Sequence, residues 1–211
     1  VGDTISGVEI LIGSAFDDTL QGNDGANTLT GGGGNDVFKG AGGADSLDGG
    51  AGFDTFNHSE GADTLNGGAE SDVADYFSAG GAVSVNLSTG IMLSGGSLNA
   101  SGFYVGGAVE DTLISIENVL GSDFGDRLVA SSAGSFVLGR GGNDRISGLG
   151  GSDRFFGDAG NDTLEGGQSA DSIQGGDGND VLDGGTAFDT VDYSDKSGGV
   201  NVNVINGVAL T

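Results

Sequence analysis

The chain has 211 residues, 47 of them Gly and none Pro, Cys or Trp, and its 31 acidic and six basic side chains leave a net charge of −25. Without Cys there are no disulfides. No apolar run approaches the ~18 residues that suggest a membrane-spanning helix, and so negative a chain would be repelled by nucleic-acid phosphates. Repulsion on this scale opposes a compact state, which leaves either disorder or cations that belong to the fold. The acids are 25 Asp and only six Glu, and short Asp side chains suit tight turns and metal loops.

Residues 1–12, VGDTISGVEILI, lead into a run of nine-residue units. From Gly13 these read GSAFDDTLQ, GNDGANTLT, GGGGNDVFK, GAGGADSLD, GGAGFDTFN, HSEGADTLN and GGAESDVAD, ending at Asp75. Residues 76–120 break the period. There Val83, Val85 and Leu87 alternate with Ser84 and Asn86, then Ser88-Thr89-Gly90 precedes Ile91 and Leu93, which predicts a β-hairpin. Residues 95–108 read as a loop, and Leu113, Ile114, Ile116 and Val119 as a further short apolar element, preferably a strand.

The period resumes at Gly121 with GSDFGDRLV, ASSAGSFVL, GRGGNDRIS, GLGGSDRFF, GDAGNDTLE, GGQSADSIQ, GGDGNDVLD and GGTAFDTVD, ending at Asp192. Across the 15 units the sixth position is Asp in 13, the exceptions being Asn27 and Ser135, and the eighth is apolar in all. A disordered acidic linker would not hold both registers. Residues 193–211 align without gaps to 76–94, and Val200, Val202 and Val204 before Asn206-Gly207 predict a second hairpin. Residues 109–120 likewise align to 1–12.

The chain is therefore read as a tandem array: 1–12 the end of a preceding connector, 13–75 a first block, 76–120 a connector, 121–192 a second block, and 193–211 the truncated start of another connector. This layout predicts a piece of a longer protein.

These units follow the G-G-x-G-x-D-x-U-x nonapeptide pattern, and the chain resembles the haemolysin-type calcium-binding repeats of the RTX (repeats-in-toxin) proteins. The expected fold is all-β, a parallel β-roll or solenoid with 18 residues per turn, its blocks joined by hairpin-containing connectors. In each x-U-x triplet the middle residue points inward, because strand side chains alternate. Phe38, Leu47, Phe56 and Leu65 then line the core of the first block, and Ile146, Phe155, Leu164, Ile173 and Leu182 that of the second. One apolar residue in nine is too thin a core to order so much Gly by burial alone.

The resemblance implies that Ca²⁺ makes up the difference, each ion lying between loops two units apart. It further implies carbonyls from positions two and four with the Asp of one loop, and from positions one and three with the Asp of the next. Carried onto this chain, Gly32, Gly34 and Asp36 face Gly49, Ala51 and Asp54. The candidate carboxylates are Asp18, Asp36, Asp45, Asp54, Asp63, Asp72, Asp126, Asp144, Asp153, Asp162, Asp171, Asp180 and Asp189. Pairing units 18 residues apart gives up to eleven candidate sites, nine with Asp on both sides. The mixed pairs Asn27/Asp45 and Ser135/Asp153 are expected to be weaker, and Asp45/Asp63 is suspect because the His58 unit lacks its leading glycines. Nine bound ions would bring the charge from −25 to about −7.

Catalysis is not expected in this segment. The chain has one His, His58, and neither G-x-S-x-G nor H-E-x-x-H, and the repeat accounts for its carboxylates. Four of the six basic residues, Arg127, Arg140, Arg145 and Arg154, cluster at the entry to the second block. They read either as a patch for an acidic extracellular polysaccharide or cell surface, or as local relief of repulsion. The resemblance implies a secreted or bacterial-surface protein exported by type I secretion. The segment would serve as a folding switch, spacer or adhesive surface, or else as the accessory region of a secreted protease, lipase or polysaccharide epimerase.

Overall fold

The computed structural model describes residues 6–98, 104–197 and 199. Among these residues there is no helix and there are twenty strands. They are β1 Ile10–Ile12, β2 Thr19–Gln21, β3 Thr28–Gly33, β4 Val37–Lys39, β5 Ser46–Ala51, β6 Thr55–Asn57, β7 Thr64–Ala69, β8 Val73–Asp75, β9 Ser84–Asn86 and β10 Ile91–Leu98, followed by β11 Tyr104–Ile114, β12 Asn118–Leu120, β13 Arg127–Val129, β14 Phe136–Leu138, β15 Arg145–Ser147, β16 Arg154–Phe156, β17 Thr163–Gly167, β18 Ser172–Gln174, β19 Val181–Gly185 and β20 Thr190–Val191.

The strands form two walls of a parallel β-solenoid. One wall runs β1-β3-β5-β7-β11-β10-β9-β13-β15-β17-β19 and the other β2-β4-β6-β8-β12-β14-β16-β18-β20. Within the repeats every pairing is parallel and offset by 18 residues, as in Leu29↔Leu47↔Leu65 and Leu20↔Phe38↔Phe56↔Ala74. The middle residue of each triplet is the buried one: Phe38, Leu47, Phe56, Leu65, Ile146, Phe155, Leu164 and Ile173 are sealed inside, and Leu182 packs on them partly buried. Phe38 and Phe56 stack with ring centroids 4.8 Å apart and planes 9° from parallel. That separation matches the spacing of neighbouring strands, so register imposes the stack.

The connector carries the solenoid through. β9 and β10 form the expected hairpin, with Met92 opposite Val85, and Gly90 takes a positive φ at its turn. Residues 95–108 are not the predicted loop, because β10 extends to Leu98 and β11 begins at Tyr104, paired antiparallel. Leu113 and Val119 belong to two strands on opposite walls: β11 joins β7 and β12 bridges β8 to β14. Between β7 and β13 one wall thus holds three rungs, where the other holds a single rung between β8 and β14. The second predicted hairpin, at 200–207, lies outside the described residues.

In most of the units positions two and four take positive φ, for example 109° at Gly32 and 107° at Gly34. Seven side-chain-bearing residues are held there too: Ala41, Glu70, Arg140, Leu149, Asp158, Ser169 and Ala187. For L-residues this conformation costs about 1–3 kcal/mol, so loop geometry outweighs local preference.

At Gly52, φ is 127° and a methyl group would overlap the Gly34 carbonyl oxygen of the turn below. Gly52→Ala is expected to destabilise the fold by about 3 kcal/mol or more through strain and overlap. Leu149→Gly should stabilise it by about 0.5–1 kcal/mol, since Leu149 is exposed and sits at φ 65°. Thermal midpoints in calcium-containing buffer check both. Equal and small effects would mean that loop conformation is not under this constraint.

Candidate metal centre

Each sixth-position carboxylate lies just ahead of a wall strand, and the carboxylates are chained from turn to turn. In all eleven pairs 18 residues apart, the backbone N–H of the lower residue donates to Oδ1 of the upper Asp at 2.7–3.0 Å. Asp36 donates to Asp54 and Asp54 to Asp72, each at 2.8 Å. This bond pins the carboxylate and uses only one of its oxygens.

The second oxygen decides what the loop can hold. Oδ2 of Asp36, Asp45, Asp54, Asp72, Asp144, Asp153, Asp162 and Asp171 is buried with no hydrogen-bond partner. All eight residues lie in units whose second residue has positive φ. Where the second residue is Ser14, Asn23, Ser122 or Ser131, φ is not positive. Its N–H instead caps the sixth side chain of the same unit: Ser14 on Asp18, Asn23 on Asn27, Ser122 on Asp126 and Ser131 on Ser135. Turning the first peptide of the unit therefore exchanges a self-capped carboxylate for one with a free oxygen.

Carbonyls meet those free oxygens. A methyl group on Gly31 would run into both Asp36 Oδ2 and the Gly49 carbonyl of the next turn, so the two oxygens face one space. The Gly32 and Gly34 carbonyls project onto Gly50 and Gly52 of that turn. The Ala51 carbonyl accepts the Gly34 N–H at 2.9 Å. The same convergence at position one recurs for Asp54, Asp144, Asp153, Asp162 and Asp171. At Asp45 the facing group is the Ser59 hydroxyl, which also donates to Asp63 Oδ2 at 3.1 Å, so Asp45/Asp63 is built differently. Asp180 and Asp189 accept from the turn below through Oδ1 like the others. Among the described residues no group of three or more His, Cys, Asp or Glu side chains is arranged to hold a metal. The carboxylates come in pairs, and further ligands at these loops must be backbone oxygens.

Two carboxylates of the connector extend the files. Asp63 N–H donates to Asp111 Oδ1 at 3.2 Å and Asp72 N–H to Glu117 Oε2 at 3.0 Å. Asp111 Oδ2 accepts the buried Tyr76 hydroxyl at 3.2 Å. Neither residue follows from an 18-residue spacing, although Asp111-Thr112-Leu113 repeats the triplet Asp63-Thr64-Leu65 with which it pairs.

The model of the family described as RTX calcium-binding nonapeptide repeat (4 copies) matches residues 3–38, 21–56, 39–74, 120–155 and 156–191, more than half of the chain. The chain belongs to this family. No curated protein matches it. RTX repeats bind Ca²⁺, and buried carboxylate oxygens without partners, facing carbonyls, fit a hard cation that takes six to eight oxygen ligands.

Arginine has other work in this RTX chain. Arg140 forms a two-pronged pair with Asp75, at 2.9 and 3.2 Å, and lies over the Phe77 ring. Arg145, paired in register with Arg127, reaches Glu165 at 2.8 Å, and Arg154 lies over Phe156. Burial holds the half-buried His58 imidazole below its usual pKa, against the pull of Glu110 and Glu60.

Burial raises the carboxylate pKa values, and at Asp126 it does so against the pull of Arg140. Asp144 is pushed to about 8, Asp111 and Asp153 to about 7, and Asp72, Asp126 and Asp162 to about 6. Asp36, Asp45, Asp54, Asp63 and Asp171 are also raised. In each, desolvation is the leading cause, opposed by the backbone N–H bond. A folded-state pKa above the unfolded value near 3.9 means that the folded chain holds more protons, so metal-free stability falls as pH rises from about 4 to 8. Calcium-stripped protein in metal-free buffer should therefore show more β-structure at pH 5 than at pH 8 by circular dichroism. A signal that is flat or rises with pH would contradict these environments.

Proposed function

We propose that the chain is a non-catalytic, calcium-folded β-roll segment of a secreted protein, acting as a folding switch. The observation that carries this reading is the set of eight buried carboxylate oxygens without a partner. An ionised carboxylate left so is costly unless a cation meets it. Six pairs combine a free lower oxygen with a facing position-one carbonyl: Asp36/Asp54, Asp54/Asp72, Asp144/Asp162, Asp153/Asp171, Asp162/Asp180 and Asp171/Asp189. These are the proposed principal calcium sites. Gly32, Gly34 and Asp36 with Gly49, Ala51 and Asp54 form the representative ligand set, supported by the direction of their oxygens. Asp18/Asp36, Asp126/Asp144 and Asp45/Asp63 are weaker sites, having one capped or substituted side.

Metal binding to ligands that the unfolded chain does not gather is folding free energy. Extracellular calcium modules have affinities on the order of 10⁻⁴–10⁻³ M, so such a segment stays expanded where calcium is scarce and closes outside the cell. A polysaccharide-binding role has less support, because Arg140, Arg145 and Arg154 are engaged within the chain.

A calcium titration of metal-free protein at pH 8, followed by circular dichroism, tests the switch. Equal β-structure in chelator and in calcium would sink it. Asp54→Ala removes a carboxylate from two adjacent sites, so the calcium midpoint should rise and about two fewer ions should bind at saturation, since each ion needs both flanking loops. An unchanged stoichiometry and midpoint would refute the ligand register.

A further inference from the structure

We propose that Glu117 and Ser115 of the connector complete a calcium site with Asp72, so that the ion file runs past the last nonapeptide and fastens the first block to the connector. The inference rests on the calcium reading of the repeats and concerns a loop that is not a repeat unit.

Asp72 is fully buried and its Oδ2 has no partner. Its N–H donates to Glu117 Oε2 at 3.0 Å, as Asp36 N–H does to Asp54, so Glu117 occupies the place of the next sixth-position carboxylate. A methyl group on Gly67 would run into both Asp72 Oδ2 and the Ser115 carbonyl. At Gly31 the corresponding oxygens are Asp36 Oδ2 and the Gly49 carbonyl. The connector thus reproduces the arrangement of the six principal pairs.

It does so with a shorter loop. Ile114 stands opposite Asn66 and Asn118 opposite Val73. Residues 67–72 below are therefore matched by 115–117 alone. The shortened loop keeps its two ends, the first carbonyl and the last carboxylate, and fills the middle with Ile116, which is buried in the core. Ser115 holds a positive φ of 49°. Glu carries one methylene more than Asp, which lengthens the reach of a carboxylate mounted on a loop half as long. The lower loop is a regular unit with positive φ at Gly68 and Glu70, and its Glu70 side chain reaches down to Gly52 N–H at 2.9 Å, away from the turn above.

The test is a crystal of the 211-residue chain grown with millimolar CaCl₂, its calcium ions located from anomalous differences. The expected result is a peak between Asp72 Oδ2, a Glu117 carboxylate oxygen and the Ser115 carbonyl, about 2.3–2.6 Å from each, together with peaks at the nonapeptide pairs. Peaks at the nonapeptide pairs, with a water or nothing at Asp72/Glu117, would overturn this inference and leave the proposed function standing. No anomalous peak at any pair would overturn both. In solution, Glu117→Gln should bind one calcium fewer than the native chain by equilibrium dialysis while retaining calcium-induced β-structure. An unchanged count in a folded variant would also overturn the inference. The native-chain crystal decides the matter if the variant does not fold.

Discussion

A carboxylate held in the interior with one oxygen bonded to the turn below and the other bonded to nothing is the interaction on which this fold depends. The bonded oxygen sets register, because eleven of the sixth-position carboxylates accept from the backbone 18 residues earlier. The free oxygen makes the register expensive, since burial, with the neighbouring carboxylates of Asp126, Asp162 and Asp158, pushes Asp144 to about 8. Side chains of the eighth position cannot offset that cost, as each unit contributes only one to the core. A solenoid so built gathers buried negative charge that only protons or a cation can neutralise.

The loops carry a second, quieter alternative. Ser14, Asn23, Ser122 and Ser131 turn their N–H onto the sixth side chain of their own unit, whereas Gly32, Gly50 and Gly68 turn it away. The self-capped units are the first two of each block. At those loops the protein satisfies its own acceptor, and deeper in each block eight acceptors are left without an internal partner. Leu149 and Arg140 at φ 65° and 73° show how strongly the second state is enforced, because neither residue favours that conformation.

Most of the repeat architecture was legible in the sequence, since every nonapeptide pairing repeats at one spacing. Phe38 predicts its own burial, and Asp36 its neighbour Asp54, from the number 18 alone. The connector was legible only in part. Its hairpin shows in the alternation of Val83 and Val85, yet Gly95, Gly96, Gly106 and Gly107 concealed an antiparallel ladder that holds Ser94 opposite Ala108 and Gly96 opposite Gly106. Asp111 and Glu117 pair with residues 48 and 45 positions away, separations set by how much chain the hairpin takes up, and no local pattern encodes that length. The division of capped from open loops was hidden for another reason: it depends on the direction of one peptide group, to which Ser or Gly at position two is only a hint.

The junction between blocks shows how the two solutions combine. On the wall containing β7 and β11, Asp63 is capped by Ser59 and Asp111 by Tyr76, so both buried carboxylates meet hydroxyl groups. On the wall containing β8 and β12, Asp72 keeps its free oxygen opposite Glu117. Arg140 closes over the seam from the second block to Asp75 of the first, supplying a counter-charge at the joint. One wall of the joint therefore satisfies its acceptors internally, while the other keeps a free carboxylate oxygen at Asp72. In a stack where each turn touches only its neighbours, order spreads from whatever rung is already in place. A joint that satisfies half of its buried charge internally gives the turns above and below a template of fixed register on which to stack.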